Sequence, residues 1–230
     1  MKRVLKIFFL LFAFALPVCF VAQNNDEEYS TAKRQYDAGE YNVAAQIFQK
    51  LATQGNVKAI YRLGRCYEEG RGVGKNEAEA VKLYIQAADH GHAKAQYRAA
   101  RAYEKGMSVS ADAKKAFSFY RSSAEQGNAK AQYQLAKCYK KGIGTKKDVD
   151  KAFNYYKQSA EQDYAKAQLA LGKCYMEGHG VKKDIPIAKK WLHKAVNNSD
   201  GGHQLLKDIK KDAKNGDRDS QEVLELLAEN

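Results

Sequence analysis

From residue 57 to residue 200 the chain repeats itself every 36 residues, four times over and without a gap. The copies are 57–92, 93–128, 129–164 and 165–200. Tyr67, Tyr103, Tyr139 and Tyr175 fall in one register, and Gly70, Gly106, Gly142 and Gly178 in another. A period of this length marks a stacked supersecondary unit, because one unit cannot bury its apolar face alone. The chain is therefore expected to be all-α, an array of helix pairs whose neighbours complete each other's cores.

Each copy reads as two helices. The first starts near Lys58 and stops at Gly70, a residue suited to the left-handed position that ends a helix. The loop that follows ends at Asn76, Asp112, Asp148 or Asp184, each placed to accept the free N–H groups of the second helix. Pro186 falls in a first turn, where a missing N–H does no harm. Second helices end at Gly55, Gly91 and Gly127, with Asp163 in the glycine's place in the third copy. Ala59, Leu63, Cys66 and Tyr67 share one face of the first helix with Ile60 and Gly64. On the second, Ala80, Leu83, Tyr84 and Ala87 recur as Ala116, Phe119, Tyr120 and Ser123. In the second copy MSVSAD replaces the glycine-containing loop, and a different local shape is expected there.

The stretch AKAQYQLAKCYKKGIGTKKDVDKAFNYYKQSAEQ resembles the Sel-1-like repeat, a longer relative of the tetratricopeptide repeat. The resemblance covers residues 57–200 and implies a right-handed α/α solenoid that serves as a scaffold for other proteins. Residues 28–56, with Gly39, Tyr41, Ala44 and Phe48, look like a shorter tetratricopeptide-type hairpin. Residues 201–230 read as two capping helices split near Gly216. Some exported members of the family are cysteine-rich, with paired cysteines bridging each repeat and a β-lactamase-type activity. This chain lacks the second cysteine of each pair, so neither property is carried over.

The chemistry-bearing residues point away from catalysis. Gly142 and Gly144 resemble a phosphate loop, but that motif follows a strand and ends in Gly-Lys-Ser/Thr before a helix. Here a helix precedes the pair, and Gly70/Gly72 and Gly178/Gly180 repeat it, as a helix–helix turn would. Cys66, Cys138 and Cys174 occupy one slot, filled by Ala102 in the second copy, which reads as a small buried position. Stacked equivalent helices lie about 8–10 Å apart, beyond the reach of roughly 7 Å between disulfide Cα atoms. The histidines at 90, 92, 179, 193 and 203 show no metal-ligand spacing. No cofactor, no metal site and no enzyme activity are expected.

One surface pattern stands out. With Ala59 at the origin of the helical wheel, Arg62, Lys58 and Arg65 fall at about −60°, −100° and −120°. Later copies put Lys94, Arg98 and Arg101, then Lys130 and Lys137, then Lys166 and Lys173 in the same arc, with Gln134 and Ala170 filling the remaining slots. Those twelve slots hold ten basic residues and no acid, while the 69/105/141/177 slot in the same arc is Glu, Lys, Lys, Glu. The alternative is a solvated face whose lysines serve solubility. In related superhelices first helices line the concave surface, so stacking is expected to merge these charges into one partner-binding band. Tyr61, Tyr97 and Tyr133 lie at its edge, where they would add apolar contact to a partner or, as the favoured role, pack on the neighbouring repeat.

The N-terminus carries Lys2, Arg3 and Lys6 ahead of an apolar run from Ile7 to Leu16, the pattern of a secretory signal peptide over residues 1–22. Cys19 stands where a lipoprotein cysteine would, but Val18 is bulkier than the residue such a site carries. Without those three basic residues the net charge falls from +12 to about +9. The expectation is an exported protein, periplasmic or secreted, that meets a membrane only if lipidated or left uncleaved. It would bind a protein or peptide of acidic character rather than nucleic acid. The alternatives are an anionic envelope polymer such as peptidoglycan or lipopolysaccharide, and, less favoured, a β-lactamase-type hydrolase.

Overall fold

The computed structural model describes residues 25–229, which form twelve α-helices and no strand. They are α1 (25–37), α2 (Tyr41–Thr53), α3 (Val57–Glu69), α4 (Glu77–Asp89), α5 (Ala93–Lys105) and α6 (Ala113–Glu125). The remainder are α7 (Ala129–Lys141), α8 (Val149–Glu161), α9 (Ala165–Glu177), α10 (Ile185–Val196), α11 (Gly202–Lys214) and α12 (Arg218–Ala228). Residues 1–22, which read as a signal peptide and include Cys19, lie outside the described residues. Residues through Ala95 make one compact unit and those from Gln96 a second.

The repeat length follows from its loop chemistry. At the end of α3, α7 and α9, Gly70, Gly142 and Gly178 adopt φ of 68°, 72° and 78°, and each N–H returns to a cysteine carbonyl of the last turn. Four residues before the next helix ends its first turn, the cap closes from both sides. Asn76, Asp112, Asp148 and Asp184 accept from the N–H three residues on, at 2.9–3.0 Å. Their own N–H groups donate to Tyr67, Tyr103, Tyr139 and Tyr175 carbonyls. Loop, tyrosine register and cap are thus one hydrogen-bonded unit, and an insertion would break it.

The loop of the second copy keeps this shape, contrary to the sequence expectation. Gly106 has φ 67° and Ser108 φ 55°, close to the 72° and 70° of Gly142 and Gly144. Asp112 still bonds the Tyr103 carbonyl, so the two ends of the loop dictate the path and Ser108 is held in it.

The second glycine of each loop has a further task. A Cβ on Gly144 would sit 2.2 Å from the Ala113 carbonyl oxygen, and one on Gly180 would sit 2.4 Å from that of Val149. The loop therefore rests on the first turn of the second helix one pair earlier. Small residues act likewise between helices: Ala131 and Ala167 are fully buried, and a Cβ on Gly172 would press on Leu192. Leu135, Tyr120, Leu171 and Leu192 fill the second unit's core; Phe48, Leu51, Ile60 and Leu63 fill the first.

A buried amide ladder ties the second unit together. Gln96, Gln132 and Gln168 are buried and accept from Gln126, Gln162 and Asn198 at 2.8, 2.7 and 3.0 Å. Gln132 and Gln168 also donate to the carbonyls of Ala124 and Ala160. Buried amides that are paired cost little and fix register. Gln221 makes the corresponding bond to Ala213 between α12 and α11.

Candidate partner-binding face

Among the described residues no three His, Cys, Asp or Glu side chains gather as a metal ligand set. Cys66, Cys138 and Cys174 are free and buried. Burial pushes each thiol up to about 11, so the nucleophilic thiolate is scarce at neutral pH. His179 pairs with Glu177 at 2.5 Å on a turn, and His92 caps a helix. None of these groups forms a reactive constellation with another.

The ten basic residues divide by what surrounds them. In the first unit Lys58 lies 3.5 Å from Asp26, and Arg62 Nε donates to the Tyr29 hydroxyl at 3.4 Å. Arg65 is clamped by Glu69, which also accepts from Tyr36 at 2.6 Å and pairs with Arg71 at 3.0 Å. Burial acts to raise the Glu69 carboxyl, but the Tyr36 hydroxyl and Arg65 outweigh it and hold it below the ordinary range. Arg65 is thus part of an internal network. Lys94 is exposed in the first turn of α5.

In the second unit the balance is different. Arg98 and Arg101 are partly buried on α5; Lys130 and Lys166 are exposed in the first turns of α7 and α9. Lys137 is partly buried, 5.8 Å from the Tyr133 ring, and Lys173 lies 4.0 Å from Asp219. Arg101, Lys130, Lys137 and Lys166 have no carboxylate within ion-pair distance among the described residues. Lys130, Tyr133, Gln134 and Lys137 form one stripe of α7 at helical spacing, and the Gln134 side-chain oxygen is buried with no donor.

The ring contacts of the flanking tyrosines fall within their own repeats, not on the neighbouring repeat that the sequence favoured. Tyr61 stacks on His92 at 4.4 Å and packs on Tyr84, while Tyr97 packs on Tyr120. Tyr133 touches Tyr156 and meets Tyr164 edge-on at 5.5 Å. Tyr164 is the residue that sequence reasoning missed. It fills the slot held by Asn56, His92 and Asn128, whose side chains accept N–H groups of the next helix. Tyr164 caps nothing, a loss of about 1 kcal/mol. Burial pushes its hydroxyl up to about 12; Tyr97 and Tyr133 add to the rise, and Arg101 and Asp200 are also close enough to act on it. The ring packs, with Tyr133, against the core of Ala160, Ala167 and Leu171. Comparing the four slots as Asn, His, Asn and Tyr would have exposed it.

Stacked helix pairs with a shared loop and a buried amide ladder define an α-helical repeat protein of the solenoid class. The Sel1 repeat model matches residues 57–92, 93–128, 129–164 and 165–200, and the chain belongs to that family. A Sel1 repeat protein from Oxalobacter formigenes is 34% identical over 82% of this chain and 79% of its own, with a TM-score of 0.71. A protective antigen of uropathogenic Escherichia coli strains, displaying the same kind of fold, is 27% identical at TM-score 0.68. It is matched over 86% of this chain and 47% of its own length. A putative Sel1 repeat protein from Klebsiella pneumoniae shares the fold at 22% identity and TM-score 0.51, over 81% of this chain and 93% of its own. No curated protein matches the chain. Sel1 repeat proteins generally mediate protein–protein interaction, and their fold is typically non-enzymatic. Among the described residues no helix is long and apolar enough to cross a membrane.

Proposed function

We propose that the protein is an exported, non-enzymatic scaffold that holds an acidic segment of a partner protein on the α5–α7–α9 face of its second unit. The observation that carries this reading is the set Arg101, Lys130, Lys137 and Lys166, cations without a carboxylate in reach on consecutive first helices. Their counterparts Lys58 and Arg65 are neutralised within the chain. Unpaired charges of one sign on one face speed the encounter with an opposite charge and make binding sensitive to salt. Export rests on the signal pattern of residues 1–22, and mass spectrometry of the mature protein is expected to find it beginning at Gln23, with no lipid on Cys19.

The test is binding of the full chain to a Glu-rich peptide, to purified lipopolysaccharide and to peptidoglycan, at low and physiological salt. Salt-sensitive binding of the peptide, tighter than that of either polymer, is expected. Preference for a polymer would replace the protein partner with an envelope polymer, and salt-insensitive binding of the peptide would overturn the role of charge.

A further inference from the structure

We propose that Tyr164 is the specificity residue of this face. Together with Tyr133 it forms an aromatic seat for one apolar side chain of the bound segment, while Arg101 and Lys137 take the carboxylates beside it. The inference rests on the acidic-partner reading and adds what that segment must carry besides charge.

Three observations support it. Tyr164 breaks the capping pattern that Asn56, His92 and Asn128 keep, so local helix stability does not explain a tyrosine there. Asp163, just before it, sits at φ 58°, where Gly55, Gly91 and Gly127 sit in the other turns. Two adjacent departures from local preference set this turn apart from the turns at Gly55, Gly91 and Gly127 and mark it as a candidate functional position. The ring is also placed for contact. It meets Tyr133 edge-on at 5.5 Å, with the Lys137 ammonium 5.8 Å from the Tyr133 ring on the same helix. Aromatic surface flanked by cations suits an apolar anchor set among carboxylates, since tyrosine offers a large contact with few rotamers to freeze.

The occupant is therefore an acidic segment with a single apolar residue at its centre. The test uses the full chain and two fluorescein-labelled Glu/Ser peptides, alike except for a central Phe or Ser, followed by anisotropy. The Phe peptide is expected to bind about tenfold tighter. Tyr164→Asn restores the cap found at Asn56 and Asn128, so the variant folds, and it is expected to erase that advantage while leaving the salt-sensitive binding of the Ser peptide. Equal binding of the two peptides by the wild type, or an advantage that survives Tyr164→Asn, overturns the assignment of Tyr164 alone. Failure of both peptides to bind at low salt overturns the acidic-partner reading with it.

Discussion

Ser108 occupies a backbone conformation that its equivalents leave to glycine, with φ 55° against 72° and 70° at Gly72 and Gly144. A side chain in the left-handed region costs about 1–2 kcal/mol. Ser108→Gly removes that strain but adds freedom to the unfolded chain, so a net gain of about 1 kcal/mol is expected. For a protein of this size that is a rise of roughly 3 °C in melting temperature by calorimetry. Gly144→Ala is expected to have the opposite sign and a larger size, roughly 2–4 kcal/mol, because the new methyl meets both the strained φ and the Ala113 carbonyl. Urea unfolding measures it, and a loss below about 1 kcal/mol would show that the loop can lift off the preceding pair. The turn role of Gly144 was legible in the sequence, because φ is a local property. Its seat on Ala113 was not, since that depends on how one pair stacks on another.

Helix capping contributes a pH dependence to the first unit near neutrality. His92 accepts the Ala95 N–H through Nδ1 at 3.2 Å, which requires that nitrogen to be unprotonated. Burial lowers its affinity for a proton; Lys94, Arg62 and Lys58 lower it further, against its own backbone hydrogen bond. The Tyr61 ring stacks on it without bearing charge. A folded-state pKa below the unfolded 6.5 means that the unfolded chain takes up the proton first. This contribution to stability is complete above about pH 6.5 and is lost as pH falls through the folded value. His92→Asn, which copies the caps at 56 and 128, is expected to flatten the stability profile between pH 7 and 5. An unchanged slope in that variant would place the titration elsewhere. The helices and their caps could be read from the sequence because Asp or Asn at a helix start and Gly at its end act within a few residues. The loop around Ser108 could not, because its composition argued for a new shape while the Tyr103–Asp112 bond held the old one.

Over the whole molecule, the basic arc read from the helical wheel is one pattern in sequence and two in space. The wheel treats each helix alone, so it cannot show Asp26 reaching Lys58 or Asp219 approaching Lys173 from distant segments. The Arg65–Glu69 pair, four residues apart on one helix, was within its reach. What stays open to a partner is the charge of α5, α7 and α9. The direct test is a double charge reversal at Arg101 and Lys137, compared with one at Lys58 and Arg65, in salt-dependent binding of a Glu-rich peptide. The first pair is expected to abolish binding and its salt dependence; the second is expected to weaken binding less than about threefold. Equal losses from both pairs, or full binding after the first, would contradict a partner site on that face.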